Sequence, residues 1–198
     1  MLKKSSSKQL LTGSTAETTV EPKARSKKDN KKIARTRRQR GYHWEDTLVK
    51  RFNALEDWKG FRLGSPSVGL PDILAVSTKN STIFTIEAKS GTTNSLVVPF
   101  DQILRCLKWT DTFELYETRE VVFAFKFLSK KRIGLGLYEK RELREYYKVW
   151  DKSNRISDFA CNYDGTTYSI IDAKRERLEL EDYQMPFSSK NTRISEKP

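Results

Sequence analysis

Apolar side chains recur at regular spacing only after Gly41, and their pattern predicts the order of the elements. Apolar positions three and four apart indicate a first helix over residues 42–56. Apolar runs predict strands at residues 58–63, 73–76, 82–89 and 120–127, with a second helix at 99–116. We also expect a weaker strand at 132–138, a third helix at 139–147 and a last strand at 167–171. This order predicts an α/β fold with a mixed sheet.

The first forty residues differ sharply in composition from the rest of the chain. They hold 13 Lys and Arg against three acidic residues, whereas all 22 aromatic residues follow Gly41. Such a segment has too little apolar surface to fold by itself, and its charge attracts polyanions. We therefore predict a disordered basic tail over 1–36, a globular domain over 37–175 and a charged C-terminal extension over 176–198. The tail is expected to contact nucleic acid; the alternatives are a solvated arm and a nuclear localisation signal.

The composition also excludes several classes of protein. No stretch approaches the roughly 18 consecutive apolar residues of a membrane span, so we expect no membrane partner. Cys106 and Cys161 provide neither a disulfide framework nor metal-ligand spacing, and His43 is the one histidine of the chain. Histidine-based zinc or serine-hydrolase chemistry is therefore not expected. If the chain is an enzyme, carboxylates and lysines must carry out the chemistry.

Asp72 and the segment Glu87-Ala88-Lys89 form the strongest candidate site. If the hairpin between the second and third strands turns between residues 79 and 80, facing residues have numbers that sum to 159. Asp72 then faces Glu87, and directly opposed side chains lie about 5 Å apart at Cβ. Lys89 points to the same side as Glu87 because side chains alternate along a strand. The pattern predicts two acids and a lysine on one sheet face; the alternative is a surface hairpin with a Glu–Lys pair.

Facing carboxylates of this kind are typical of a site for a hard divalent cation. Mg²⁺ binds oxygen ligands and keeps several waters, so we expect one or two Mg²⁺ ions, for which Mn²⁺ can substitute. The carbonyl of Ala88 is a further candidate ligand. Lys89 is expected to orient a water or to stabilise charge on a phosphate. Glu45 falls beside the buried stripe of the first helix, where it is either an inward-facing ligand or compensates the helix dipole.

Together these motifs resemble the archaeal Holliday junction resolvases of the PD-(D/E)xK nuclease superfamily. The resemblance spans about residues 37–133 and rests on four segments: Gly41…Glu45…Leu48-Val49, Gly60-Phe61-Arg62, Pro71-Asp72-Ile73-Leu74-Ala75 and Ile86-Glu87-Ala88-Lys89. It implies a restriction-endonuclease-like core, in which a central mixed β-sheet is flanked by helices. It also implies a Mg²⁺-dependent endonuclease that acts as a homodimer on four-way DNA junctions in recombination and repair.

The resemblance further implies the roles of individual residues. Glu45, Asp72 and Glu87 become metal ligands and catalytic residues, and Lys89 becomes the catalytic lysine. The residues expected to bind DNA are Arg35, Arg37, Arg38, Arg40, Arg62, Ser65 and Ser67. The chain would work in the cytoplasm of an archaeon, associated with the nucleoid, or in the nucleus of a eukaryote.

Two other functions stay open at this point. One is a different DNA nuclease of the same fold, restriction-like or acting in repair, with the same four site residues. The other is a non-catalytic DNA-binding protein in which the tail binds and the hairpin is structural. For a dimer interface, the candidate segments are the strand after Arg132 and the aromatic-rich residues 138–150.

Overall fold

The computed structural model describes residues 27–64, 69–180 and 182–188. These residues form two helices, α1 (Lys27–Asn53) and α2 (Phe100–Thr112). Their strands are β1 (Lys59–Arg62), β2 (Ile73–Ser77), β3 (Thr82–Gly91), β4 (Ser95–Val98), β5 (Thr118–Phe127), β6 (Lys130–Arg132), β7 (Tyr138–Lys140), β8 (Arg144–Val149), β9 (Asp158–Asn162), β10 (Thr167–Ile171) and β11 (Lys174–Arg177). Neither helix has the length and apolarity that crossing a membrane requires.

The central sheet is mixed and has the strand order β1-β2-β3-β5-β8. Strands β3 and β5 run parallel, which requires a crossover, and α2 lies in the connection between them. The other neighbours in this sheet pair antiparallel. The predicted fold class, an α/β core with a central mixed sheet flanked by helices, is confirmed.

One face of the central sheet is covered by α1 and by the last described residues of the chain. Trp44, Leu48 and Phe52 of α1 are fully buried in this layer, and Met185 packs into the same cluster with no exposed surface. The domain therefore extends beyond the predicted boundary at residue 175, and that boundary is wrong. The residues after 175 are mostly charged, so the short apolar segment that completes the core was not recognised in the sequence.

The other face is covered by α2 and by a second sheet with the order β11-β10-β9-β4. Phe123 and Phe125 of β5 belong to one buried cluster with Ile103 of α2 and Phe159 of β9, and all four are fully buried. Strands β4 and β9 were not expected from the sequence, because each is short and lies beside polar turn residues. The central strands are thus buried on both faces, which agrees with their continuous apolar runs.

The first helix begins 15 residues earlier than its apolar pattern predicts. Residues 27–40 include eight Lys or Arg, which favour helices, but they carry almost no apolar stripe that periodicity can detect. The predicted limit of the disordered tail at residue 36 is therefore wrong, since 27–36 belong to α1. Residues 1–26 lie outside the described part of the chain.

The segment between residues 130 and 149 also differs from the prediction. The strand expected at 132–138 is a hairpin of β6 and β7 with a turn between them, and the helix expected at 139–147 is replaced by β7 and β8. The charged and aromatic residues of 144–149 have no strict alternation. They are extended because β8 pairs with the buried strand β5.

Candidate active site

The hairpin of β2 and β3 brings Asp72 beside Glu87. Ile73 pairs with Ile86, so the register has the predicted sum of 159. Asp72 directly precedes this pair, and its Oδ2 accepts a hydrogen bond of 2.9 Å from the backbone N–H of Ala88. The predicted register is confirmed, and it fixes the carboxylate of Asp72 at the end of β2.

Glu87 is almost completely buried, with 1% of its surface exposed. Its Oε1 accepts a hydrogen bond of 2.6 Å from Lys89 Nζ, and its Oε2 accepts one of 3.0 Å from Arg105 Nη2. Burial raises the pKa of Glu87, and the nearby charges of Lys89 and Arg105 oppose this rise. The two cations thus offset part of the cost of burying the carboxylate and hold it in one orientation.

Glu45 lies on α1 with only 7% of its surface exposed. Burial, followed by the charge of Asp72, raises the pKa of Glu45 to about 7. Its Oε2 is buried and accepts no hydrogen bond from the described residues, although Arg62 Nε lies 3.5 Å away. A buried carboxylate oxygen without a donor is costly, so this arrangement favours a further positive partner.

Gly64 shows where such a partner fits. A Cβ atom at this position would lie 3.4 Å from Glu45 Oε2 and 3.9 Å from Asp72 Oδ1. The two carboxylates therefore border one small space, which stays open because residue 64 has no side chain. Oxygen donors around a space of this size suit Mg²⁺, which binds through one or two carboxylates plus waters.

The described residues contain no group of three Asp, Glu, His or Cys side chains that is already arranged to hold a metal ion. The ion pairs of Glu87 account for this, because both of its oxygens are directed to Lys89 and Arg105. Glu45 and Asp72 are therefore the two carboxylates that can bind a cation without giving up an ion pair of Glu87.

Arg105 is the site residue that the sequence did not reveal. It lies 18 positions after Glu87, on the turn of α2 that also carries the buried residues Ile103 and Cys106. Its side chain is only 13% exposed, and its Nε has no hydrogen-bond partner among the described residues. Two features of the sequence could have indicated Arg105. It is an arginine beside the apolar stripe of α2, and a buried Glu87 needs more than one cation.

The residues expected to bind DNA lie in different positions. Arg35 and Arg38 are exposed on α1; Arg38 is seven residues before Glu45 and so lies on the same side of the helix, about 10 Å away. Arg40 borders a cleft of about 230 Å³ that Lys126 also lines. Arg62 donates a 2.9 Å hydrogen bond to Asp46. The side chain of Arg37 lies outside the described part of the structure, as do residues 65–68, which include Ser65 and Ser67.

The double variant Arg35→Ala/Arg38→Ala is expected to weaken binding to all nucleic acids alike. Each phosphate contact contributes about −0.9 to the slope of log K against log salt. The loss of two contacts should therefore make this slope shallower by about 1.8. Binding titrations with duplex DNA at several salt concentrations measure this slope. Lys79→Ala is the matched control, because Lys79 is an exposed cation in the turn between β2 and β3 and not on α1. An unchanged slope in the double variant would exclude α1 as a DNA-binding arm.

Comparison with known proteins finds structural similarity to several solved chains. The chain is similar to Hjc, a Holliday junction resolvase from the archaeal hyperthermophile Archaeoglobus fulgidus, with a TM-score of 0.42 and 15% sequence identity. The match covers 62% of this chain and 87% of that chain. No protein-family model matches the chain, and no curated protein matches its sequence.

Proposed function

We propose that this chain is a Mg²⁺-dependent DNA endonuclease that hydrolyses phosphodiester bonds at four-way junctions, in recombination and repair. The observation that carries the proposal is the space at Gly64 between Glu45 Oε2 and Asp72 Oδ1, beside the Lys89–Glu87 ion pair. Carboxylates can hold a cation, a lysine can stabilise charge on a phosphate, and a basic helix can bind the DNA backbone, so together these groups can support phosphodiester hydrolysis.

The metal would be held by Glu45, Asp72, Glu87 and the backbone carbonyl of Ala88. When bound, Mg²⁺ polarises the phosphodiester and lowers the pKa of a coordinated water. If Glu87 binds the metal, its oxygens must either be shared between the metal and the two cations, Lys89 and Arg105, or be released from those cations. The N–H of Ala88 holds Asp72 Oδ2 by a hydrogen bond. The other oxygen, Oδ1, can then turn toward the space at Gly64.

Lys89 is the residue proposed to act on the phosphate. Its side chain is 22% exposed, and one of its three donors is used by Glu87. The two remaining N–H donors can orient the attacking water and stabilise the charge on a non-bridging phosphate oxygen. In the hydrolysis, the water oxygen would form a new bond to phosphorus and lose a proton to solvent, while one P–O ester bond breaks and its leaving oxygen takes a proton from a second water. A Glu87 oxygen shared between the metal and Lys89 would keep the ammonium beside this place.

The test of this function is cleavage of a labelled four-way junction, compared with linear duplex of the same sequence. We expect junction cleavage that requires Mg²⁺ or Mn²⁺ and stops on chelation. Equal cleavage of linear duplex would favour another nuclease of this fold. Binding without cleavage in either metal would favour a non-catalytic DNA-binding protein.

We also propose that the active form is a homodimer. One chain has one set of Glu45, Asp72, Glu87 and Lys89, whereas resolving a junction needs two symmetrically placed cuts. Sedimentation at micromolar concentration should therefore give a dimer, and a cruciform plasmid should become linear through paired cuts within one binding event. A monomer that yields only nicked circles would exclude the dimer while leaving the assignment of the four residues open.

A further inference from the structure

The hairpin of β6 and β7 has an unusual exposed apolar tip. Ile133, Leu135, Leu137 and Tyr138 each have between 47% and 62% of their surface exposed. A hydrogen bond from the N–H of Ile133 to the carbonyl of Leu137 closes the turn, with Leu135 at its centre. Solvent-exposed apolar side chains in such a cluster indicate a contact surface.

The shape of this tip is narrow. Leu135 stands between Gly134 and Gly136, so neither neighbour places a side chain beside it. Gly136 has a φ of +75°, a conformation that favours glycine, and a Cβ there would meet no atom within 4 Å. The turn therefore presents a single leucine at the apex of a slim hairpin.

The hairpin is attached at the same end of the sheet as the candidate active site. Because β3 and β5 are parallel, Gly91 and Phe127 end side by side, two residues beyond Lys89. The N–H of Leu128 donates to the carbonyl of Gly91, and that of Arg132 donates to the carbonyl of Thr92. The root of the hairpin is thus only about 7 Å along β3 from Lys89.

The flanks of the hairpin are strongly basic. Residues 130–141 include five Lys or Arg and a single acid, Glu139. Lys130 and Lys140 are directly opposed in the ladder, and opposed like charges are destabilising. Glu139 lies 3.8 Å from Lys131, and among the described residues neither member of the opposed pair has an ion pair. This arrangement favours an anion beside the hairpin.

We propose that the β6–β7 hairpin inserts Leu135 between base pairs of the bound DNA, at the branch point of a junction. This inference rests on the proposed nuclease function and names the feature of the DNA that the site recognises. Basic strands hold the phosphates while the apolar tip separates two bases, as apolar wedges do in proteins that bend DNA. The branch point is the least costly place, because a base pair there stacks firmly only on its own arm and has one stacked neighbour left to lose.

A second copy of the chain fits the tip less well than DNA does. If two hairpins packed on each other, the basic flanks of both copies would come together and repel. Stable protein interfaces also take about 20–30 residues on each side, whereas the tip offers four apolar side chains. Phosphates, in contrast, complement the charge of Lys130 and Lys140.

The experiment uses the full chain with chelator present, so that binding is measured without cleavage. A four-way junction carries 2-aminopurine at the branch point, where unstacking increases its fluorescence. We expect wild-type protein to raise the signal and Leu135→Ala to remove most of the rise. Affinity of this variant for the junction should drop on the order of tenfold, with the salt dependence unchanged. Leu135 is exposed, so the thermal unfolding temperature should not change.

Leu115→Ala is the matched control, because Leu115 is 96% exposed but lies at the opposite end of β5. It should bind and unstack like the wild type. An unchanged fluorescence rise in Leu135→Ala would overturn the proposal, as would loss of a wild-type dimer in that variant on sedimentation. If wild-type protein binds the junction without any rise, the hairpin proposal alone fails. If it binds no DNA, the proposed function fails first.

Discussion

Replacing Asp72 with Asn is expected to abolish DNA cleavage while junction binding stays intact or becomes tighter. The change removes one of the two carboxylates that border the space at Gly64, and with it a ligand for the metal. A metal ion supplies several kcal/mol of transition-state stabilisation, which corresponds to a loss of about 10³-fold in rate. Binding improves because the substitution removes a negative charge that faces the phosphates.

Single-turnover cleavage of a labelled junction and binding in chelator measure the two effects separately. Asp57→Asn is the matched control, since Asp57 is a surface carboxylate paired with Lys79 away from the site. It should cleave like the wild type. Near-normal cleavage by Asp72→Asn would refute the assignment of the site.

Glu87→Gln is expected to be equally inactive but, unlike Asp72→Asn, unstable. The neutral amide leaves Lys89 and Arg105 without their buried counter-charge. Breaking a buried ion pair on one side costs about 3–5 kcal/mol, so chemical denaturation should show a clear loss. The comparison of the two variants separates the chemical role of the carboxylates from the structural role of the ion pairs.

Replacing Glu45 with Gln is expected to stabilise the protein above pH 7. The folded state binds the Glu45 proton more tightly than the unfolded state, because burial and Asp72 raise the pKa from 4.5 to about 7. The free energy of unfolding therefore falls as the pH rises from 4.5 to about 7, by at most roughly 3 kcal/mol, and stays lower above that range. Gln cannot ionise, so the variant avoids this cost.

Thermal unfolding at several pH values, with and without Mg²⁺, measures the effect. At pH 8 without metal, Glu45→Gln should melt a few degrees above the wild type, and below pH 4.5 the difference should vanish. Mg²⁺ should stabilise the wild type by mass action and the variant much less. Asp57→Asn is the control here as well, as its carboxylate pairs with Lys79 away from Glu45. A destabilised Glu45→Gln at pH 8, or an undiminished Mg²⁺ effect, would contradict the prediction.

The local geometry of the site could be predicted because it depends on short-range rules. The turn at residues 79–80 sets the register of two neighbouring strands, and strand alternation then places Glu87 and Lys89 on one side. The spacing of Glu45 placed it beside the apolar stripe of its helix and left burial and dipole compensation as alternatives, and the structure buries the carboxylate. Periodicity reports such relations directly, since they involve neighbours within one helix or one hairpin.

Contacts between residues far apart in the chain determined the features that the hydrophobic pattern could not predict. Residues 144–149 form a strand only because β5 offers them a buried partner, and Met185 is buried only because the chain returns to the face covered by α1. Arg105 meets Glu87 across a helix–sheet contact that no local spacing encodes. By itself the sequence determined the acids and the lysine of the site, through alternation and register. The second cation of Glu87 and the hairpin beside Lys89 depend on how separate elements pack, because packing joins residues that local periodicity cannot relate.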